Sequence, residues 1–325
     1  MRADTETIAR AEMKGLTVAT VMRETMGLTM AFVTWYLREG ADQIVICFDD
    51  PADPAIAALE PFPQVYCVPC TAEFWGTLGI SPYGRFARRQ NRAMNFVYQS
   101  LAGGWFMTVD GDELVHLDGR TLAQELASTP ADTKAVTVLP AESIQSPDAP
   151  DALQFRLPMS REAVHEVYGD CAPLMSVRQG LSGHRAGKTA TRVGIPNVHV
   201  RQHFVQGTNG DKLIDRVIGA DDAAYLLHFF DQGFAVWRAK LPWRLASHGY
   251  PERGRKLLQQ VLAEADPEPG LREIYAKMHI FDAGRRALLA QHGALFEMNA
   301  LRAQSLARAV PSLAGAETEA RRFAA

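Results

Sequence analysis

The chain has 325 residues, 47% of them hydrophobic, enough to bury a full core as one large domain or two smaller ones. Its formal net charge of −3 argues against a general nucleic-acid binder, which would carry a basic face. No stretch approaches the ~18 apolar residues of a bilayer span, and the first residues, MRADTETIARAEMKG, lack the apolar core of a signal peptide. The expected location is therefore cytoplasmic, with peripheral contact at the inner membrane face left open.

Residues 16–21 (LTVATV) read as a strand, and Leu28, Ala31, Phe32 and Trp35 then recur at helical spacing, with Gly40 as the C-terminal cap. Residues 43–48 (QIVICF) form a second buried strand, followed by Asp49-Asp50-Pro51-Ala52-Asp53. Asp53 is placed to cap the short helix that Pro54 opens. A third strand covers 64–68. Its Cys67-Val-Pro-Cys70 has redox-pair spacing but closes a strand instead of opening a helix, so the four cysteines read as ordinary reduced thiols. Phe86, Gln90, Ala93, Met94, Val97 and Leu101 line one stripe of a longer helix.

The fourth strand, 105–109, runs into three acids, Asp110, Asp112 and Glu113. Clustered carboxylates at the end of a buried strand need something to offset their repulsion, most often a hard divalent cation that also holds a phosphate. Gly111 is expected to let the turn tighten so that Asp110 and Asp112 converge. A solvated acidic turn is the alternative. Residues 134–139 read as a fifth strand. From about Ala220 the chain turns helical, with candidate helices at 232–246, 251–265 and 269–308, and a loose tail follows. Strands alternating with helices predict an α/β fold, a mostly parallel sheet flanked by helices with a helical C-terminal region. In such sheets ligands bind beyond the carboxyl ends of the strands, where Asp49/Asp50 and Asp110/Asp112 fall. There is no GxGxxG after the first strand and no GxxxxGK[ST], so dinucleotide and P-loop sites lose ground.

Four segments together resemble family 2 glycosyltransferases of the GT-A type, in a bacterial branch related to the family 92 type. They are VMRETMGLTMAFVTWYLREGADQIVICFDDPAD, ARRQNRAMNFVYQSLAGGWFMTVDGDELVHL, GLSGHRAGKTATRVG and AYLLHFFDQGFAVWRAKL. The resemblance covers roughly residues 16–245; residues 1–245 are taken as a nucleotide-sugar-binding and catalytic domain, with 246–325 as a helical extension and tail. The chain departs from the commoner pattern with Arg23 in place of Asn and Asp50-Pro51 in place of an Asn/Ser pair.

The resemblance implies a metal-dependent transfer of a sugar from a nucleoside-diphosphate donor, a UDP-sugar by family frequency, to the hydroxyl of a carbohydrate or other acceptor, with inversion. Surface polysaccharide or glycoconjugate synthesis would be the setting. Glu24, Asp50 and Asp53 would lie around the nucleoside, with Arg89 and Gln90 facing it. Asp110 would contact ribose or metal, and Asp112 would ligate Mn2+ or Mg2+. Glu113 reads as either a supporting acid or an exposed one. In Gly183-His184-Arg185-Ala186-Gly187-Lys188, the glycines allow close backbone approach, and Lys188 on a flexible turn, with His184 and Arg192, would meet a diphosphate or an anionic acceptor. A basic surface loop is the plain alternative. His199 and His203 read as structural. His228, an imidazole in the apolar run AYLLHFF, would add a nitrogen ligand to the metal. Glu142 and Asp222 are the candidate general bases. The rival readings are a non-catalytic nucleotide-sugar or glycan-binding module and a sugar nucleotidyltransferase. The latter would show a Gly-rich basic loop where this chain has MRETMG.

Overall fold

The computed structural model describes residues 15–247 and 249–298. In chain order the first elements are β1 (Leu16–Met22), α1 (Met26–Arg38), β2 (Gln43–Phe48), α2 (Ala55–Leu59), β3 (Val65–Pro69), α3 (Ala72–Thr77), α4 (Phe86–Ser100), β4 (Trp105–Thr108), β5 (Glu113–Leu117), α5 (Leu122–Ser128) and β6 (Ala135–Val138). Then come β7 (Pro140–Ser143), β8 (Gln154–Arg156), α6 (Arg161–Tyr168), α7 (Ala172–Met175) and β9 (Lys188–Arg192). The short strands β10 (Val198–Val200), β11 (Val205–Gly207), β12 (Lys212–Leu213), β13 (Arg216–Ile218) and β14 (Ala224–His228) follow. The last elements are α8 (Phe234–Ala246), α9 (Glu252–Leu262), α10 (Glu268–His279), α11 (Ala283–Gln291) and β15 (Leu295–Glu297). The expected α/β class, with a mostly parallel sheet, flanking helices and a helical C-terminal region, is what the chain forms. No helix among the described residues is long and apolar enough to cross a membrane.

The described residues divide into two compact units, one within residues 15–139 and 186–226, the other within residues 140–185 and 227–298. In the first, seven strands form one sheet in the order β13-β6-β9-β4-β1-β2-β3. β1 pairs in parallel with both β2 and β4, and β2 with β3, while β9 runs antiparallel to its neighbours β4 and β6. β1 and β2 are buried along their whole length, as the runs LTVATV and QIVICF, apolar or β-branched but for Gln43, require of central strands covered on both faces. α1 is started by Thr25, whose hydroxyl accepts from the Leu28 amide. It pins β5 through two buried bonds: Trp35 Nε1 donates to the Val115 carbonyl at 2.6 Å and the Tyr36 hydroxyl to that of Glu113 at 2.9 Å.

Three local expectations change. Glu113 is neither exposed nor on the acidic turn: it opens β5 and is fully buried. Lys188 does not sit on a flexible turn but is the first residue of β9 and 1% exposed. Because β9 runs antiparallel to β4, its start lies at the edge where β4 ends. Gly111 is needed for space more than for its backbone angle. A Cβ there would come within 2.8 Å of Met22 Sδ and 2.9 Å of Glu24 Cγ, so the β4–β5 turn packs directly on the end of β1.

In the second unit β8 pairs antiparallel with both β7 and β15. The helices close around an apolar core that includes Val164, Tyr168, Leu174, Met175, Trp237, Leu241, Leu258, Leu271, Met278, Phe281 and Leu289. The helix expected over 269–308 is broken. α10 ends at His279, and α11 restarts where the Asp282 carboxylate accepts from the Arg285 amide at 2.8 Å. The expected tail, and 299–308 of that helix, lie outside the described residues.

Candidate functional site

After β1 the chain turns to β2 and β3 on one side, then returns to place β4 on the other. A parallel sheet that reverses direction in this way opens a crevice at the carboxyl ends of the two strands flanking the reversal. Here those ends carry Arg23-Glu24 after β1 and Asp110-Gly111-Asp112 after β4.

The Asp110 carboxylate is held from two sides. Gln90 Nε2 donates to Oδ1, and Lys188 Nζ lies 2.7 Å from Oδ2. The same ammonium is 3.1 Å from Glu113 Oε2, and that oxygen also accepts from the Asp110 amide at 2.8 Å. The repulsion that seemed to demand a metal is therefore offset in part by a lysine supplied from 78 residues away. Burial works against the Lys188 charge, but Asp110 and Glu113 outweigh it and hold its pKa above the ordinary lysine value. Gln90 passes the constraint outward, its Oε1 accepting from Gln202 Nε2 at 2.6 Å. Asp112 stands half-buried on the turn.

A second charged group lies at the end of β2. The Asp49 side chain, 6% exposed, pairs with Arg89 at the start of α4, and Arg23 approaches it at 3.9 Å. Arg89 also donates to the Gly84 carbonyl at 3.2 Å, and its guanidinium sits 5.4 Å from the Trp75 ring centroid. The sequence singled out Asp50. It is Asp49 that turns inward, while exposed Asp50 accepts from the Ala52 amide at 2.9 Å. Asp53 accepts from the Ala55 amide at 2.8 Å, one residue ahead of the N-cap expected of it, which is Pro54. Glu24 is half-buried beside Gly111.

Two sequence candidates of this unit stand apart from the crevice. Arg192 closes β9 at its far end, bonded to the carbonyls of Thr133, Thr129 and Pro130 and 4.4 Å from the Trp105 ring centroid. Asp222 is exposed on the turn before β14, capping the Gly219 amide at 3.0 Å. His203 Nδ1 lies 3.2 Å from the Gly187 carbonyl, and His199 is exposed on β10.

In the second unit Glu142 on β7 is 1% exposed and locked. Its carboxylate takes the Arg156 guanidinium, the Ser182 amide at 2.8 Å and the Gly183 amide at 2.6 Å. Burial pushes its pKa up, but Arg156, His228 and these hydrogen bonds more than reverse that, to about 2. Arg156, wholly buried, also reaches the Tyr168 hydroxyl at 3.0 Å, Ser182 Oγ at 2.9 Å and the Met278 carbonyl. His184 and His228 stand 5.3 Å apart between ring centroids. Gly183 must be glycine here, because a Cβ would fall 2.5 Å from His228 Cε1. Two neighbouring imidazoles are a donor set suited to a transition-metal ion.

The sequence alone missed Lys188 as partner of Asp110 and Glu113, Asp49 as the inward acid, and Arg156 altogether. Arg156 left a trace, a charged residue inside the short apolar run LQFRL.

No protein-family model matches the chain, and no curated protein matches it. Among solved structures, HddC from Yersinia pseudotuberculosis is similar at a TM-score of 0.36 and 10% sequence identity, covering 66% of this chain and 93% of that one. That likeness is too weak to bear on function.

Proposed function

We propose that this protein is a glycosyltransferase that takes a sugar from a nucleoside-diphosphate donor bound at the crevice between β1 and β4. The observation that carries the reading is the set of polar groups at the strand ends: Glu24 follows β1, Asp110, bonded to Gln90 and Lys188, follows β4 with Asp112 next on the turn, and the Asp49–Arg89 pair stands at the end of β2. Carboxylates there can accept hydrogen bonds from base and ribose, and the charged groups suit a diphosphate.

Asp112 and Asp110 would hold a divalent cation, Mn2+ or Mg2+. The donor set fits, because hard cations take carboxylate oxygens and each Asp110 oxygen, with one partner so far, keeps a second lone pair. Such a cation neutralises the charge that develops on a leaving diphosphate. Lys188 holds the Asp110 and Glu113 carboxylates in place before any cation binds. Gln90 fixes the rotation of the Asp110 carboxylate, and the Arg89–Asp49 pair walls the crevice. The attacking hydroxyl needs a base. Neither candidate has its properties: Glu142 is too acidic at about 2 and has no idle oxygen, and Asp222 is spent on its own turn.

The test is turnover. Release of nucleoside diphosphate from a nucleotide-sugar, slow without acceptor and faster with one, supports the transferase. A nucleotide-sugar that binds and is never turned over, whatever the acceptor, marks a binding module instead.

A further inference from the structure

The stretch between Glu73 and Asp110 holds no acidic residue, yet it carries Arg85, Arg88, Arg89 and Arg92 in a chain whose formal net charge is −3. Arg89 is buried and spent on Asp49. The other three are exposed. Spaced by three and then four residues along the start of α4, they share one face of the helix. None of the three makes a side-chain hydrogen bond or an ion pair among the described residues.

The loop that leads into α4 adds two aromatic rings to this face. Tyr83 is 96% exposed and Phe86 is 42% exposed. The backbone that carries them is tied down. Ile80 is buried in the apolar core of the first unit. The Tyr83 amide donates to Ser81 Oγ at 3.2 Å and the Gly84 amide to the Ser81 carbonyl at 3.0 Å. Arg89 Nε then closes the loop on the Gly84 carbonyl at 3.2 Å. A ring held out on a braced tip buries almost no apolar area against its own chain, and that area is available to a partner.

The two features together say which kind of partner. Guanidinium groups pair in bidentate fashion with phosphate oxygens. Tyrosine, with an apolar ring and a polar tip, is suited to the boundary between headgroups and acyl chains. We propose that residues 81–92 dock this protein on a membrane surface rich in anionic lipid. Tyr83 and Phe86 enter the interface, and Arg85, Arg88 and Arg92 meet the lipid phosphates. A partner held by charge alone would leave the two rings without a role.

The test is co-sedimentation of the full-length chain with vesicles of phosphatidylcholine alone, and of phosphatidylcholine and phosphatidylglycerol in equal parts. The chain should sediment with the anionic vesicles and stay in solution with the neutral ones. Binding should weaken as salt rises from ~0.1 M to ~1 M and the screening length shrinks from ~10 Å to ~3 Å. Arg85→Gln, Arg88→Gln and Arg92→Gln should each weaken it about fivefold. Tyr83→Ser should weaken it several-fold and leave the salt dependence as it was, the mark of a ring in the interface instead of a charge. All four side chains are exposed, so the variants should melt with the parent. Lys256→Gln, at an exposed lysine paired to Glu252 on α9, should bind as the parent does. Polyphosphate is the soluble competitor. A chain that binds polyphosphate and ignores the vesicles, equal sedimentation with both kinds of vesicle, or full binding by the Arg85→Gln/Arg88→Gln double variant overturns the proposal.

Discussion

Replacing Lys188 by Met tests how the acidic crevice is held together. The substitution keeps the length of the side chain and removes an ammonium that is 1% exposed, 2.7 Å from Asp110 and 3.1 Å from Glu113. Asp110 remains one-third exposed and can turn to water, but Glu113 is fully buried and would be left beside a thioether. Removing one partner of a buried ion pair costs about 3–5 kcal/mol. At about 2–4 °C per kcal/mol for a chain region of this size, the melting temperature should fall by about 6–20 °C. The folded Lys188 pKa is raised, so its contribution is complete below the unfolded lysine value of ~10.4 and fades only above it. The loss should therefore be the same at neutral pH and at ~9. The assay is thermal unfolding in chelator, with Lys188→Met/Glu113→Gln alongside. Removing both charges should recover most of the stability. Mn2+ should stabilise Lys188→Met more than the parent, because the carboxylates have lost their built-in cation. A loss under about 1 kcal/mol, or no recovery in the double variant, would refute the reasoning.

Two further outcomes follow. Asp112→Asn should abolish metal-dependent turnover and leave the melting temperature within a degree or two, since Asp112 is half-buried on a turn; near-normal activity would reduce the cluster to an acidic turn. Glu142, depressed from 4.5 to about 2, contributes stability that is present above the unfolded value and is lost as pH falls through the folded one. That is about 3 kcal/mol surrendered between pH ~4.5 and ~2. Glu142→Gln should be less stable at neutral pH, with Arg156 left unpaired, and flatter over the acid range. An acid limb as steep as the parent's contradicts this.

What could be read from the sequence was what neighbours in sequence decide. LTVATV and QIVICF announce buried parallel strands because every residue but Gln43 is apolar or β-branched, and the α4 stripe follows from its spacing. The Asp-x-Asp turn was found because its strand is apolar up to the acids. Glu113 was ambiguous because the strand it opens lasts only five residues and follows a two-residue gap after Gly111's neighbour Asp110. Lys188 was misplaced on a turn because its partners arrive through an antiparallel strand, and nothing in GHRAGK announces that direction. The break at Ile280–Asp282 was legible, since Asp before Ala-Gly is a helix-start signal, but the helical periodicity on either side obscured it. Arg156 and Glu142 are 14 residues apart on paired strands, and only the register makes them partners.

The most direct measurement of the central claim is thermal unfolding of the full-length chain with nucleoside diphosphates, with and without Mn2+. The account predicts that a nucleoside diphosphate together with millimolar Mn2+ raises the melting temperature more than the sum of either alone, about 3 kcal/mol of stabilisation at a hundredfold excess over Kd. Asp112→Asn should abolish that joint effect. If no nucleoside diphosphate changes the melting temperature at millimolar metal, the crevice is not a donor site and the transferase reading is contradicted.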